Sequence, residues 1–252
     1  MDPLIRFSPL VRKGLRFRRR FEDAKKLAGA RGFEWYPYDC FSNLFLLQRL
    51  CRSAGCDLES LVGDAPVLDI GAADGALSFY FESLGFRVHA VDHAGSNMNG
   101  MQGIRAIQRQ LGSNVEITDV DIDSQFRLGA QYGLALFLGT LYHLKNPFYA
   151  LETLARHARF CFVSTRVARR SPDGAEHLDQ MPVAYLLGES QCNADSTNYW
   201  IFSPPGLTLL LERAGWTIRG VASTGNPDSD PASPDHDERM FALVSSRYLV
   251  SR

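Results

Sequence analysis

The segment VLDIGAADG, residues 67–75, decides the fold. A short apolar run ends in a glycine-bearing turn, and a helical pattern follows over 76–84. Gly71 and Gly75 let the backbone approach a ligand closely, and the N-terminus of the next helix offers free N–H groups to a carboxylate. Asp69 adds a buried acceptor that can organise the turn. We therefore predict a strand, a ligand-binding turn and a helix, with Asp69, Gly71, Asp74 and Gly75 as ligand contacts.

Downstream of this turn, apolar runs alternate with helical patterns, which predicts a doubly wound α/β fold with a mostly parallel sheet. Strands are expected at 67–70, 87–91, 115–120, 132–138, 160–165, 217–222 and 240–246, and helices at 76–84, 101–111, 147–158 and 205–214. No helix fits between the last two strands, only the acidic stretch 225–238. Because parallel neighbours need a crossover connection, the last strand should run antiparallel.

Two regions stand outside the regular alternation. Residues 1–60 are predicted to form a basic N-terminal helical extension that acts as a lid, with helices at 12–27 and 41–53 and an aromatic cluster at 33–38. Residues 61–252 are predicted to form a Rossmann-like domain. Within it, the stretch 166–203 is too long for an ordinary connection, so we expect an insert that covers the substrate pocket.

Composition excludes several function classes. The five cysteines are scattered, without a C-x-x-C pair, which disfavours both a disulfide framework and a zinc site. No apolar stretch approaches the roughly 20 residues that span a bilayer, and no secretory signal is evident. We expect a cytoplasmic protein with no bound metal and no membrane span.

The charge distribution is uneven, although the net charge is only −1. Residues 1–31 hold ten Lys and Arg against three acids, whereas the remaining chain is acidic. The basic residues of 6–31 are able to bind a polyanion such as RNA. An equally good interpretation is the solvated face of a helix.

Acidic residues follow the second and third predicted strands. Asp92 comes 21 residues after Gly71, the distance at which an acid in nucleotide-binding α/β folds accepts hydrogen bonds from ribose. Among the three acids of 119–123, Asp121 is the candidate acceptor for an adenine amino group. The two glycines are four residues apart, unlike the dinucleotide fingerprint G-x-G-x-x-G, so the spacing favours S-adenosylmethionine over NAD.

The end of the fourth predicted strand supplies candidate catalytic residues. Ligands in open α/β sheets lie at the carboxyl ends of the strands, where the strand order reverses. Leu138 and Gly139 would flank the cofactor there, and Tyr142 and His143 would face its reactive group. His143 is a candidate general base; alternatively it only orients the loop.

Residues 64–165 resemble the class I S-adenosylmethionine-dependent methyltransferases. The resemblance rests on Asp69-x-Gly71-x-x-x-Gly75, on Asp92 and on the run LYHLKNP at 141–147. It implies S-adenosylmethionine as the cofactor and a seven-stranded sheet with a reversed last strand. A non-enzymatic binding module on the same fold is a further alternative, which the intact glycine turn and Asp92 disfavour.

Within that superfamily, residues 139–143 and 198–203 resemble the tRNA wobble-uridine (carboxy)methyltransferases. That family is expected to carry an arginine where this chain has Thr197, and residues 35–39 lack its cationic side chains. Simple methyl transfer to a small molecule is therefore the preferred hypothesis, and tRNA modification with RNA bound through residues 6–31 is the alternative.

The insert contains arginine among aromatic and amide side chains, a combination that suits an anionic or planar acceptor. The predicted acceptor-binding residues are Arg166, Tyr185, Asn198, Tyr199 and Trp200. For Tyr199 and Trp200, packing in the core beneath the insert is the alternative.

Overall fold

The centre of the molecule is a parallel sheet whose middle strands are buried on both faces. The computed structural model describes residues 8–29, 32–192, 195–233 and 236–249. β1 (Val67–Ile70) pairs in parallel with β2 (Val88–Asp92) on one side and with β4 (Tyr132–Leu138) on the other. Every residue of β1 is buried, as a parallel sheet with helices on both faces requires.

The other long strands complete the predicted order: β3 (Glu116–Asp119), β5 (Ala158–Val167), β8 (Trp216–Gly225) and β9 (Glu238–Ser246). β3 lies beside β2, β5 beside β4, and β9 between β5 and β8. β9 is antiparallel to both of its neighbours. The mostly parallel α/β fold with an antiparallel last strand is thus confirmed.

The insert adds two strands that the sequence pattern did not predict. β6 (Ala184–Leu186) and β7 (Trp200–Phe202) form an antiparallel pair, and β7 joins the sheet through Val167 and Phe202. The described ranges therefore contribute nine strands to the sheet rather than the seven predicted. Strands of three residues are too short for a period-two pattern to show in the sequence.

The α-helices of the described ranges are α1 (Pro9–Ala28), α2 (Asn43–Ser53), α3 (Leu58–Val62), α4 (Ala76–Ser83), α5 (Gln102–Leu111), α6 (Pro147–His157) and α7 (Pro204–Arg213). Only α3 was not predicted; it is a single capped turn in which Asp57 and Ser60 cap each other's backbone N–H groups. One apolar cluster, on one face of the sheet, contains residues of all five helices from α1 through α5. A second cluster, on the other face, contains residues of α6 and α7.

The N-terminal extension packs into the first of these clusters. α1 begins at the Ser8 cap and Pro9 and buries Val11, Phe17 and Phe21. A Cβ on Gly14 would lie 2.3 Å from Cδ1 of Leu44, so a glycine is needed where α1 crosses α2. The predicted lid is therefore fastened to the domain through an apolar helix face.

Candidate functional site

The turn after β1 is held in an unusual backbone conformation. Gly71 and Gly75 have φ values of +68° and +81°, and Ala73 has +51°. A Cβ on Gly71 would lie 2.1 Å from Oγ1 of Thr140, and one on Gly75 would lie 2.6 Å from the Phe79 ring. Both glycines are thus required by the fold itself, because the turn lies directly against the loop after β4 and the start of α4.

Asp92 stabilises the same turn from the end of β2. Its Oδ2 accepts hydrogen bonds from the backbone N–H of Ala73 at 2.8 Å and from the side chain of Asn97 at 3.0 Å. Its Oδ1 accepts one from the N–H of His93. Burial raises the pKa of this carboxyl, and the hydrogen bonds oppose the shift. Oδ1 keeps one acceptor position, so Asp92 remains able to bind a hydroxyl group.

Asp69 and Asp74 lie within the turn but have different partners. Asp69 is buried and accepts a hydrogen bond of 2.5 Å from the Ser78 hydroxyl, and burial raises its pKa to about 6. Asp74 is also buried; it accepts the backbone N–H of Tyr36 at 2.7 Å and the amide of Asn99 at 2.8 Å. Asp69 therefore links the end of β1 to α4, whereas Asp74 is occupied by protein groups; the cofactor contacts assigned to both stay predictions.

The contacts of Asp74 fasten the aromatic segment 33–41 across the turn. Lys25 of α1 lies 3.2 Å from the Asp74 carboxylate and also donates to the Tyr36 carbonyl. Asn99 donates to the Glu34 carbonyl at 3.1 Å. The aromatic cluster was visible in the sequence, but its partners lie about 40 and 65 residues away and carry no signal of the pairing.

The three acids after β3 all bind local backbone or hydroxyl groups. Asp119 accepts the N–H of Ala94, Asp121 accepts the N–H of Asp123 and the hydroxyl of Ser124, and Asp123 accepts the N–H groups of 145 and 146. The hydrogen bond from Ser124 lowers the pKa of Asp121. The adenine contact assigned to Asp121 stays a prediction.

Tyr142 and His143 lie together in a single 3-10 turn after β4, preceded by Leu138 and Gly139. Their rings are 4.1 Å apart between centroids. Nδ1 of His143 lies 3.2 Å from the carbonyl oxygen of Thr197 and 3.0 Å from its hydroxyl oxygen. Because a carbonyl only accepts, Nδ1 carries the proton and Nε2 keeps its lone pair. Burial lowers the pKa of His143, which favours the neutral ring.

The insert runs beside this loop but uses its polar groups mainly within itself. The N–H of Tyr199 donates to the Tyr142 carbonyl at 2.9 Å. Tyr185 binds Gln191, and the Asn198 amide donates to the Cys192 carbonyl while its Oδ1 is buried without a partner. Trp200 packs against the second apolar cluster with its indole nitrogen unpaired, in line with the core-packing alternative.

Arg166 is placed differently from its prediction as an acceptor-binding residue. It is 4% exposed, and its guanidinium contacts the thiol of Cys192, the carbonyls of Asp230 and Ser233, and the carboxylate of Asp237 at 3.0 Å. These groups belong to the insert and to the acidic loop before β9. Arg166 therefore holds two loops together and has no face open to a ligand.

Arg239 is a site residue that the sequence did not reveal. It is the second residue of β9, and because β9 is antiparallel its first residues lie at the carboxyl ends of the parallel strands. Its Cζ lies 5.9 Å from the centroid of the Tyr142 ring. An arginine at the start of a last strand has no sequence signature, and only the topology brings it to this edge.

A cleft of about 580 Å³ lies between α1, the aromatic segment and the start of α4. Its lining is aromatic and charged; it includes Lys25, Trp35, Tyr36, Cys40 and Asp74. Burial raises the pKa of the Cys40 thiol to about 12. Tyr36 also lines this cleft, and burial raises its pKa.

The basic face of α1 points away from the apolar cluster. Lys13, Arg19 and Arg20 are exposed, and Arg18 pairs with Asp39 at 3.1 Å. Arg6 and Arg31 of the predicted basic segment lie outside the described residues. None of the helices in the described ranges has the length and apolar character needed to cross a bilayer. No group of three or more His, Cys, Asp or Glu in those ranges is arranged for a metal ion.

Comparisons with known proteins agree with this geometry. A family model described as a methyltransferase domain matches residues 26–221. No curated protein matches the chain in sequence. Among solved structures, the N-terminal domain of EvdMO1, crystallised in the presence of S-adenosylhomocysteine and D-fucose, is similar with a TM-score of 0.55. The two share 15% identity over 92% of this chain and 97% of that one.

Two further structures are similar at comparable levels. A S-adenosylmethionine-dependent methyltransferase from Clostridium acetobutylicum ATCC 824 has a TM-score of 0.53 and 10% identity over 92% of this chain and 98% of that one. The BH2331 protein of Bacillus halodurans C-125 has a TM-score of 0.57 and 14% identity over 79% and 97%. At these identities the likeness concerns the fold.

Proposed function

Because the chain belongs to the methyltransferase domain family, we propose that it transfers the methyl group of S-adenosylmethionine to a small-molecule acceptor. The class I superfamily predicted from the glycine turn is confirmed, and so is S-adenosylmethionine as the cofactor. The acceptor is the part of the proposal that rests on the geometry of this chain alone.

The residues at the carboxyl ends of β1 and β2 fit the cofactor. Asp92 retains an acceptor position on Oδ1, which suits a ribose hydroxyl. The Gly71 turn presents backbone without a side chain at this edge of the sheet, next to Gly139 and Leu138. These contacts remain predictions.

The observation that favours a small acceptor is the hydrogen bond between Asp74 and the N–H of Tyr36. It fastens the aromatic segment to the end of the glycine turn, beside a cleft of about 580 Å³ that Tyr36, Asp74 and Ala76 help to line. Pockets of roughly 300–1,000 Å³ are typical for small-molecule ligands.

Methyl transfer from this cofactor requires few chemical steps from the protein itself. The sulfonium methyl of bound S-adenosylmethionine is already activated toward a nucleophile. The protein therefore has to hold the acceptor in line with it and exclude water, which the aromatic segment and the insert do at the two sides of the site. Where the acceptor must lose a proton, Nε2 of His143 is the proposed base, because Nδ1 is held by Thr197.

Binding and turnover test the proposal in two steps. S-adenosylhomocysteine is expected to bind in calorimetry and to raise the melting temperature, whereas NAD should do neither. Transfer of a labelled methyl group is then measured in parallel on a panel of small metabolites and on total tRNA. Labelling of small molecules alone is expected; labelling of tRNA alone would overturn the acceptor assignment.

The proton-transfer step has its own signature in the pH profile. Because burial lowers the pKa of His143, turnover should fall only below pH about 6.5, the ordinary value. The Thr197→Val variant keeps the carbonyl contact to Nδ1 and should retain most activity, whereas His143→Gln should remove the acidic limb. An unchanged profile in His143→Gln would exclude His143 as the base.

A further inference from the structure

Arg239 differs from the other arginines at this edge of the sheet in having no carboxylate partner in the described part of the chain. The insert arginines all pair with acids of the loop before β9 or of the first position of β9: Arg166 with Asp237 at 3.0 Å, Arg169 with Glu238 at 2.7 Å, and Arg170 with Asp228 at 3.2 Å. Asp237 and Glu238 immediately precede Arg239 in the chain, yet both are used by other arginines. A half-buried cation is left without an opposite charge.

Two neighbours of the Arg239 guanidinium define its position. Its Cζ lies 5.9 Å from the centroid of the Tyr142 ring. A Cβ on Gly139 would lie 2.8 Å from its Nη1. Tyr142 in turn stacks near His143, with 4.1 Å between the ring centroids. The guanidinium is therefore at the carboxyl end of β4, beside the residues that would face the methyl group.

The surrounding groups do not neutralise Arg239. Burial raises the pKa of Tyr142 and of Tyr36, so both phenols stay neutral near pH 7 even though the cation opposes the shift. Burial lowers the pKa of His143, and Asp195 only partly opposes this. Asp195 itself binds the hydroxyl and the N–H of Thr197. An anionic ligand would supply the missing charge.

We propose that Arg239 binds the carboxylate of an aromatic acceptor whose ring lies beside Tyr142. This inference rests on the methyl transfer proposed above and names the class of its substrate. A guanidinium presents paired N–H groups that match a carboxylate in two parallel hydrogen bonds. The Tyr142 ring beside the guanidinium suits a planar ring. The methionine carboxylate of the cofactor has the same chemistry and is the alternative source that the experiment must separate.

The experiment uses the protein saturated with S-adenosylhomocysteine and a probe pair, 4-hydroxybenzoate and its neutral analogue 4-hydroxybenzamide. We expect the acid to bind at least about tenfold more tightly than the amide, the scale of one charge-assisted contact. Arg239→Gln should abolish that preference, and Arg239→Lys, which keeps the charge without the paired donors, should reduce it. Arg170→Gln is the matched control and should leave the preference within about twofold. Equal affinity for acid and amide in the unmodified protein would overturn the inference.

A second pair of ligands distinguishes the source of the carboxylate. S-adenosylhomocysteine carries an amino-acid carboxylate, and 5′-methylthioadenosine lacks it. Unchanged affinity of Arg239→Gln for both is expected, and it also shows that the variant is folded. A loss for S-adenosylhomocysteine alone would assign Arg239 to the cofactor and overturn the proposal. Failure of the unmodified protein to bind either nucleoside would instead contradict the proposed methyl transfer itself.

Discussion

The glycine turn and the insert lie at the same edge of the sheet. However, the sequence separation between their polar side chains and the groups these bind is very different. Asp69 binds Ser78, and Asp92 binds the turn 19 residues before it. In the insert, Arg166 and Arg169 reach acids about 70 residues later. Short-range pairs leave a spacing that the sequence displays, whereas long-range pairs depend on the tertiary fold.

The largest expected effect is on the turn. Gly71→Val combines a φ of +68° with a Cβ placed 2.1 Å from Thr140 Oγ1, so we expect S-adenosylhomocysteine affinity to fall by more than about 100-fold. Gly112→Val is the matched control, because Gly112 has a φ of +61° with open space around it. Calorimetry with S-adenosylhomocysteine on both folded variants separates the effect of backbone strain from that of the close contact with Thr140. Equal losses of affinity in the two variants would contradict a special role for Gly71.

A second effect concerns pH. The pKa of Asp69 is about 6 in the folded protein against an ordinary 3.8, so the folded state binds more protons between these values. The stability due to this group is therefore complete below pH about 4 and is lost as the pH rises through about 6. Relative to Asp69→Asn, the free energy of unfolding of the unmodified protein should fall by up to about 3 kcal/mol from pH 4 to 7.

Chemical denaturation of both proteins across that pH range measures this difference. Asp64→Asn, at an exposed position, is the control and should show no comparable slope. If the difference in unfolding free energy between the unmodified protein and Asp69→Asn did not change with pH, Asp69 would be ionised inside the fold.

The third effect is smaller and concerns the ribose contact. Asp92→Ala should weaken S-adenosylhomocysteine binding by roughly 10- to 100-fold, the scale of one or two charge-assisted hydrogen bonds. Asp119→Ala removes the neighbouring acid, which accepts the N–H of Ala94, and should cost less than about threefold. Similar losses in the two variants would place the ribose contact elsewhere.

The smallest expected effect is on the basic face of α1. Replacing Arg19 and Arg20 by Ala removes two exposed cations that lie outside the cleft, so turnover on a small acceptor should change by less than about twofold. If RNA were the acceptor, the same change would flatten the slope of log K against log salt by roughly two units. Binding of total tRNA at several salt concentrations gives that slope.

Much of the fold could be predicted because its signals are local. The parallel sheet is indicated by the strand that ends at Ile70 and by the glycines that follow it. The reversed last strand is indicated by the lack of a helical pattern between 225 and 238. The short β6 and β7 were missed because three residues show no periodicity. Their pairing depends on where the insert returns to the end of β5.

For the candidate site, the sequence indicated some residues and gave no sign of others. Asp92 and the glycines were found because strand ends in such sheets converge on one edge. Arg239 was missed, since only the antiparallel direction of β9 brings it there. Arg166 was assigned to the acceptor because an arginine among aromatics looks the same in sequence whether it faces a ligand or an acid of another loop.

The burial of Cys40 has a consequence for the protein's own chemical integrity. A methyl donor alkylates any nucleophile that is aligned with it, and the reactive form of cysteine is the thiolate. With its pKa raised to about 12, the Cys40 thiol in the cleft wall is ionised at pH 7 in only about one molecule in 100,000. The same desolvation that makes the cleft suitable for a planar acceptor thus keeps its one lining thiol from competing with the acceptor for the methyl group.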